Sequence, residues 1–121
     1  MNKKSRGEIE DEFTKAMIRF EKEYFGRGPV EARTYIIQDM ILVRLRGILT
    51  PAEQQLAESR EGMLMIKDIR RQLFETARPN LVEMVREITG SRMISLHTDM
   101  STSTGERIVV LIVDTNLSFP G

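Results

Sequence analysis

"MILVRLRGILTPAEQQL", residues 40–56, carries the transition on which the fold depends: its first half alternates and its second half opens a helix. In the alternating part Ile41, Val43 and Leu45 share one side of an extended chain, while Leu42, Arg44 and Arg46 share the other. One side packs and the other presents charge. After Gly47, Thr50 and Glu53 have the spacing of a capping box, in which the hydroxyl accepts from the amide of residue 53 and the carboxylate from the amide of residue 50. Pro51 stands at the first helical position, where its missing donor costs nothing. Helix initiation is therefore the expected role of Thr50, Pro51 and Glu53, ahead of any chemistry.

Towards the N-terminus, Gln38 and Asp39 separate this strand from an earlier alternating run, Val30, Ala32, Thr34 and Ile36 against Glu31, Arg33, Tyr35 and Ile37. Two such runs around a short polar turn predict a β-hairpin, although the turn lacks the glycine that two-residue turns favour. "GRGP" at 26–29 ends the element before it, with Pro29 restraining Gly28. That element is a helix over 8–25, with Ile9, Phe13, Met17, Phe20 and Tyr24 on one stripe. Ser5 and Glu8 have the spacing of another capping box, and the acids Glu8, Glu10, Asp11 and Glu12 read as solvated charge.

Towards the C-terminus, the helix opened at Thr50 is expected to bury Leu56, Met63, Ile66, Leu73 and Ala77, supplemented by Leu64 and Ile69, with Gly62 softening it. Its "GMLMI" segment reads as adaptable core or a protein interface. Pro79 starts a further helix, "RPNLVEMVREITG", with Leu81, Val85 and Ile88 inward and Gly90 as its cap. "RMISLHTDM" reads as a strand with Ile94, Leu96, Thr98 and Met100 on one face and Met93, Ser95, His97 and Asp99 on the other. "STSTGE" turns the chain at Gly105, and "RIVVLIVD" is apolar on both faces, as in a strand covered by helices on one side and a second subunit on the other. The prediction is one α+β domain over 1–121 with flexible ends at 1–7 and 116–121. Its order is α-β-β-α-α-β-β, with a four-stranded antiparallel or mixed sheet and helices packed on one face.

Composition narrows the function. A chain of 121 residues has room for one core. Eighteen basic residues balance eighteen acidic ones, so no global field attracts nucleic acid or an anionic membrane. The absence of cysteine excludes disulfides, thiolate nucleophiles and Cys-based metal sites. No stretch reaches the apolar length of a spanning helix, and the start of the chain turns acidic where a signal peptide would be apolar, so a cytoplasmic protein is expected.

Chemistry-bearing patterns are sparse. His97 and Asp99 lie on one face of a strand, but two ligands do not complete a zinc site, so neither metal nor cofactor is expected. The Ser101–Glu106 loop lacks the lysine and following helix of a phosphate-binding loop. Arg33, Arg44 and Arg46 form a basic strip that can meet Glu31, Asp39, a partner's carboxylates or phosphates. With only Tyr35 nearby to stack a base, nucleic acid is the poorest of these readings.

The segments "GRGP", "YIIQDMILVRLRGILTPAEQQLAES", "ARPNLVEMVREITG" and "SLHTDMSTSTGERIVVLIVD" together resemble the MpsC-like family, a small bacterial domain long of unknown function, over about residues 8–115. Positions matching its pattern include Gly28, Pro29, Arg33, Asp39, Arg44, Gly47, Thr50, Pro51, Glu53, His97, Thr98, Asp99, Gly105 and Glu106. Gln38 departs from the small residue expected before the turn aspartate. The resemblance implies association with a sodium-translocating, membrane-potential-generating system containing an antiporter-like membrane subunit and a large soluble partner implicated in inorganic carbon uptake. It carries no catalytic roles. Together these readings predict a non-enzymatic, homodimeric accessory or adapter protein, cytoplasmic and peripheral to the inner membrane through a protein partner. Its candidate contacts are Arg33, Asp39, Arg44, Arg46, His97, Asp99 and Glu106. The alternative is a small-anion-binding protein or small enzyme using Arg44, His97 and Asp99.

Overall fold

Ser5 accepts a hydrogen bond from the Glu8 amide and the Glu8 carboxylate accepts one from the Ser5 amide, so α1 (Arg6–Phe25) begins with a complete capping box. Phe13, Ala16, Met17 and Phe20 are its buried stripe, and Gly26 closes it in the left-handed region at φ 84°. The computed structural model describes residues 4–117; of the ends expected to be flexible, 1–3 and 118–121 lie outside the described residues.

β1 (Glu31–Ile37) and β2 (Met40–Arg46) form the expected hairpin, with Ile37 opposite Met40 and Gln38-Asp39 as its two-residue loop. Gln38 takes the positive φ, 58°, that glycine usually supplies at the first position of such a turn. α2 (Pro51–Leu56), α3 (Arg60–Thr76) and α4 (Arg78–Thr89) follow, then β3 (Met93–Ser101) and β4 (Glu106–Val113). The sheet is antiparallel throughout, in the order β1-β2-β4-β3. β4 therefore inserts between the two strands that the helical connection joins. Ile36, Ile41, Val43, Leu45, Val109, Leu111 and Val113 face the helices and share one core with Phe13, Phe20, Ile66, Phe74, Leu81 and Val85. Helices cover that face alone, whereas Ile108, Val110 and Ile112 on the other side of β4 stay partly exposed.

Three expectations change. The helical run from Thr50 breaks at 57–59, where Ser59 caps a new helix by accepting from the Gly62 amide at 2.9 Å. The break turns the stripe of α3 to Gly62, Ile66, Arg70 and Phe74, leaving Leu56, Leu64, Ile69 and Leu73 exposed. Gly62 does not soften the helix: a Cβ there would lie 1.8 Å from the Leu56 carbonyl oxygen, so glycine admits a close crossing of α2 and α3. In β3 the register shifts between Met93 and Ser95, which carries Met93 to the core and leaves Ile94 outside, the reverse of the expected alternation.

Candidate functional site

The register builds the open face of the sheet row by row. Tyr35, Leu42, Val110 and His97 lie across the four strands in one row, and Ile37, Met40, Ile112 and Ser95 in the next. On the other side of these apolar rows lies a charged one, with Arg33 opposite Arg44, Arg44 opposite Ile108 and Ile108 opposite Asp99. Arg44 Nε donates to Glu106 Oε2 at 2.5 Å, and Arg46 lies 3.5 Å from the same carboxylate and 3.7 Å from Glu31. The hydrogen bond from Arg44 holds the Glu106 carboxyl below the usual carboxylate range. Arg33 faces Arg44, whose charge Glu106 meets, and itself makes no ion pair among the described residues.

The sequence candidates thus divide. Arg44, Arg46 and Glu106 come together, with Glu31 as the further carboxylate. Asp39 is not part of that group; its carbonyl accepts from the Val113 amide at 2.9 Å and ties the hairpin turn to the end of β4. His97 Nε2 lies 3.3 Å from Ser95 Oγ, while Asp99 pairs with Lys67 at 3.5 Å and accepts from the Met100 amide at 2.8 Å. Arg44 and Asp99 flank β4 on opposite sides, two strand spacings or about 10 Å apart. Arg44, His97 and Asp99 therefore do not converge on one small anion.

The motif residues hold the chain ends of these strands. Gly47 at φ 67° lets Val30 approach to where a Cβ would meet it at 2.6 Å, and the Gly105 carbonyl accepts from the Ile48 amide at 3.1 Å. Between Gly26 and the Gly28-Pro29 pair, Arg27 donates to the Leu49 and Gly47 carbonyls at 3.3 and 3.5 Å, joining "GRGP" to "GILT". Thr50 and Glu53 form the capping box, with amide-to-side-chain distances of 2.9 and 3.2 Å.

Each outer edge of the sheet has one amide covered by a carboxylate. Glu10 accepts from the Ile36 amide on the edge of β1 at 2.8 Å, correcting its reading as merely solvated charge, and Asp99 covers the Met100 amide on the edge of β3. Each such bond removes one donor from an edge that would otherwise be open to another strand.

The residues missed in the sequence are buried ones. Arg70 and Arg107 are each 2 % exposed and Glu21 is 1 % exposed, in a polar pocket of the core walled by phenylalanines. The Arg70 guanidinium lies 4.9 Å from the Phe25 ring centre, and that of Arg107 lies 4.6 Å from Phe74 and 5.8 Å from Phe25. Arg70 is anchored by Glu53 and by the Ile48 carbonyl at 3.0 Å, whereas Glu21 Oε2, Arg70 Nη1 and Arg107 Nε have no partner among the described residues. Burial raises the Glu21 carboxyl above its ordinary range despite the opposing pull of Arg107 and Arg70. Each charged residue sits in an otherwise apolar series: Glu21 follows Phe20, Arg70 lies between Ile66 and Phe74, and Arg107 begins the inward row of Val109, Leu111 and Val113. That interruption was their signal in the sequence.

Among the described residues no group of three or more His, Cys, Asp or Glu side chains is placed to hold a metal ion, and no helix is long and apolar enough to cross a membrane. No solved structure matches the chain. A Bacillus subtilis (strain 168) protein described as "Uncharacterized protein YbcI" is 49% identical over 108 residues, covering 89% of this chain and 87% of the relative. A second protein of that strain, "Uncharacterized protein YrhF", is 27% identical over 104 residues, covering 85% of each. The family profile described as "Na+-translocating membrane potential-generating system (MpsC)" matches residues 5–115, the same span that holds the "GILTPAEQQL" junction and the inserted strand β4. With the match reaching from the cap of α1 to just beyond β4, the chain belongs to the MpsC family.

Proposed function

We propose that this protein is a non-enzymatic accessory subunit of a membrane ion-translocating system, working at the cytoplasmic side of the membrane as a homodimer. The observation that carries the reading is the open face of the sheet. Tyr35, Ile37, Met40, Leu42, Ile108, Val110 and Ile112 form a contiguous apolar field there. Four strands of seven to nine residues give a face of roughly 500 Å² in plan, so two copies bury about 1,000 Å², the lower bound of a specific interface. A twofold arrangement sets apolar rows on apolar rows. The family description supports the membrane-system context. The exposed apolar side of α3, with Leu64, Met65, Ile69 and Leu73, is then left for the membrane partner.

Crosslinking and mass spectrometry of the tagged protein, recovered from its native membranes in mild detergent, tests this reading. Crosslinks from Lys67 on α3 to a membrane ion-translocating protein support it. Recovery of self-crosslinks alone under several conditions removes the accessory role and leaves only the dimer.

A further inference from the structure

We propose that the cleft between α3 and the β3–β4 hairpin binds a small organic carboxylate, held by Arg107. The cleft, about 320 Å³, runs between Leu64, Lys67 and Arg71 of α3 and Thr98, Met100 and Arg107 of the hairpin. Arg107 lies at its floor, 2 % exposed, and makes no ion pair among the described residues. Its Nη1 donates to Thr98 Oγ1 at 3.0 Å, its Nη2 lies 3.9 Å from Met100 Sδ, and its Nε has no partner. With the ring faces of Phe74 and Phe25 at 4.6 and 5.8 Å, these contacts hold the guanidinium but leave the Nε donor unsatisfied, a cost that an incoming acceptor would remove.

The charges around the rim cancel in pairs. Lys67 lies 3.5 Å from Asp99 and Arg71 lies 2.8 Å from Asp68, which leaves Arg107 at the floor as the cation of the cleft without an ion pair among the described residues. Glu21 inside the core and Asp99 at the rim favour the charged form of Arg107 through space, but neither makes an ion pair with it among the described residues.

Ligand class follows from the shape and charge of these groups. The planar fork of a guanidinium matches the two oxygens of a carboxylate. Leu64 and Met100 receive a short aliphatic body, and a single guanidinium with no second unpaired cation beside it matches a monoanion better than a dianion such as phosphate. Butyrate is the matching probe.

The test follows the arginine Nε–Hε resonances of the full chain by NMR during titration with sodium butyrate, ionic strength being held constant with chloride. The expected result is a saturable shift at Arg107 with a Kd on the order of 1 mM. Lys67→Glu, at an exposed position that leaves the fold intact, should weaken binding at least fivefold, and Arg107→Met should abolish it. Should Arg107→Met fail to fold, the Lys67→Glu titration still decides. No saturable shift at Arg107 up to about 50 mM, unchanged affinity in Lys67→Glu, or equal affinity for inorganic phosphate overturns the proposal.

Discussion

Arg70 grips Glu53 through two hydrogen bonds, Nε to Oε2 at 2.9 Å and Nη2 to Oε1 at 2.8 Å, while Glu53 Oε1 also accepts from the Thr50 amide. One carboxylate thus starts α2 and neutralises a buried cation of α3. Removing Thr50's hydroxyl takes away a cap, and Thr50→Ala should cost about 1 kcal/mol. Removing the carboxylate strands the buried guanidinium, so Glu53→Ala should cost about 3 kcal/mol. Urea denaturation of both variants checks the order; equal losses would show that the pairing with Arg70 adds nothing to the cap.

Glycine to alanine inside a helix ordinarily gains about 1 kcal/mol. Gly62→Ala should instead lose about 2 kcal/mol, because its Cβ would meet the Leu56 carbonyl oxygen at 1.8 Å, backbone that cannot swing aside. A rise in the denaturation midpoint would refute the close crossing of α2 and α3.

Buried Glu21 and half-buried Glu53 act on stability in opposite pH windows. For Glu53, burial pushes the carboxyl upward but the bonds from Arg70 and Thr50 outweigh it, so its pKa is lowered from 4.5. Its contribution is fully present above pH 4.5 and is lost as pH falls through the lowered value. For Glu21 burial wins and the pKa is raised from 4.5, so the folded state binds more protons than the unfolded one above that pH and stability falls as pH rises through the raised value. Denaturation midpoints measured across pH should lose the decline on the neutral side in Glu21→Gln and keep the acid-side loss. An unchanged profile in Glu21→Gln would mean that the carboxyl is not the titrating group.

Val110 is the centre of the open apolar rows, on the inner strand β4. Light scattering of the wild-type protein at micromolar concentration should give twice the 14.0 kDa of one chain, and Val110→Lys should return it to one. Because the side chain points away from the core, monomer stability should change by less than about 0.5 kcal/mol. A wild-type particle of single-chain mass would end the homodimer reading.

Gln38 holds a positive φ of 58° without the freedom of glycine. Gln38→Gly should raise stability by about 0.5 kcal/mol through relief of that strain, less the extra entropy of the unfolded chain. A loss of stability on calorimetry would indicate that the Gln38 side chain contributes more than its backbone strain costs.

The sequence by itself determined the elements whose causes are local. Ser5 with Glu8 and Thr50 with Glu53 start helices, Gly26 and Gly90 stop them, and the alternation of 40–46 selects the buried side of β2, because each depends on residues within one turn or one strand. Even the role of "GILTPAEQQL" as a helix start was legible, but its second role was not, since Arg70 lies seventeen residues beyond Glu53. Only the tertiary structure decided that β4 enters between β2 and β3, that the stripe of α3 includes Arg70 and excludes Leu73, and that Arg44 and Asp99 stand on opposite sides of one strand. The physical reason is the same in each case. Local hydrogen bonds select a conformation, whereas strand order, helix rotation and the partner of a buried charge follow from which distant surfaces exclude water together.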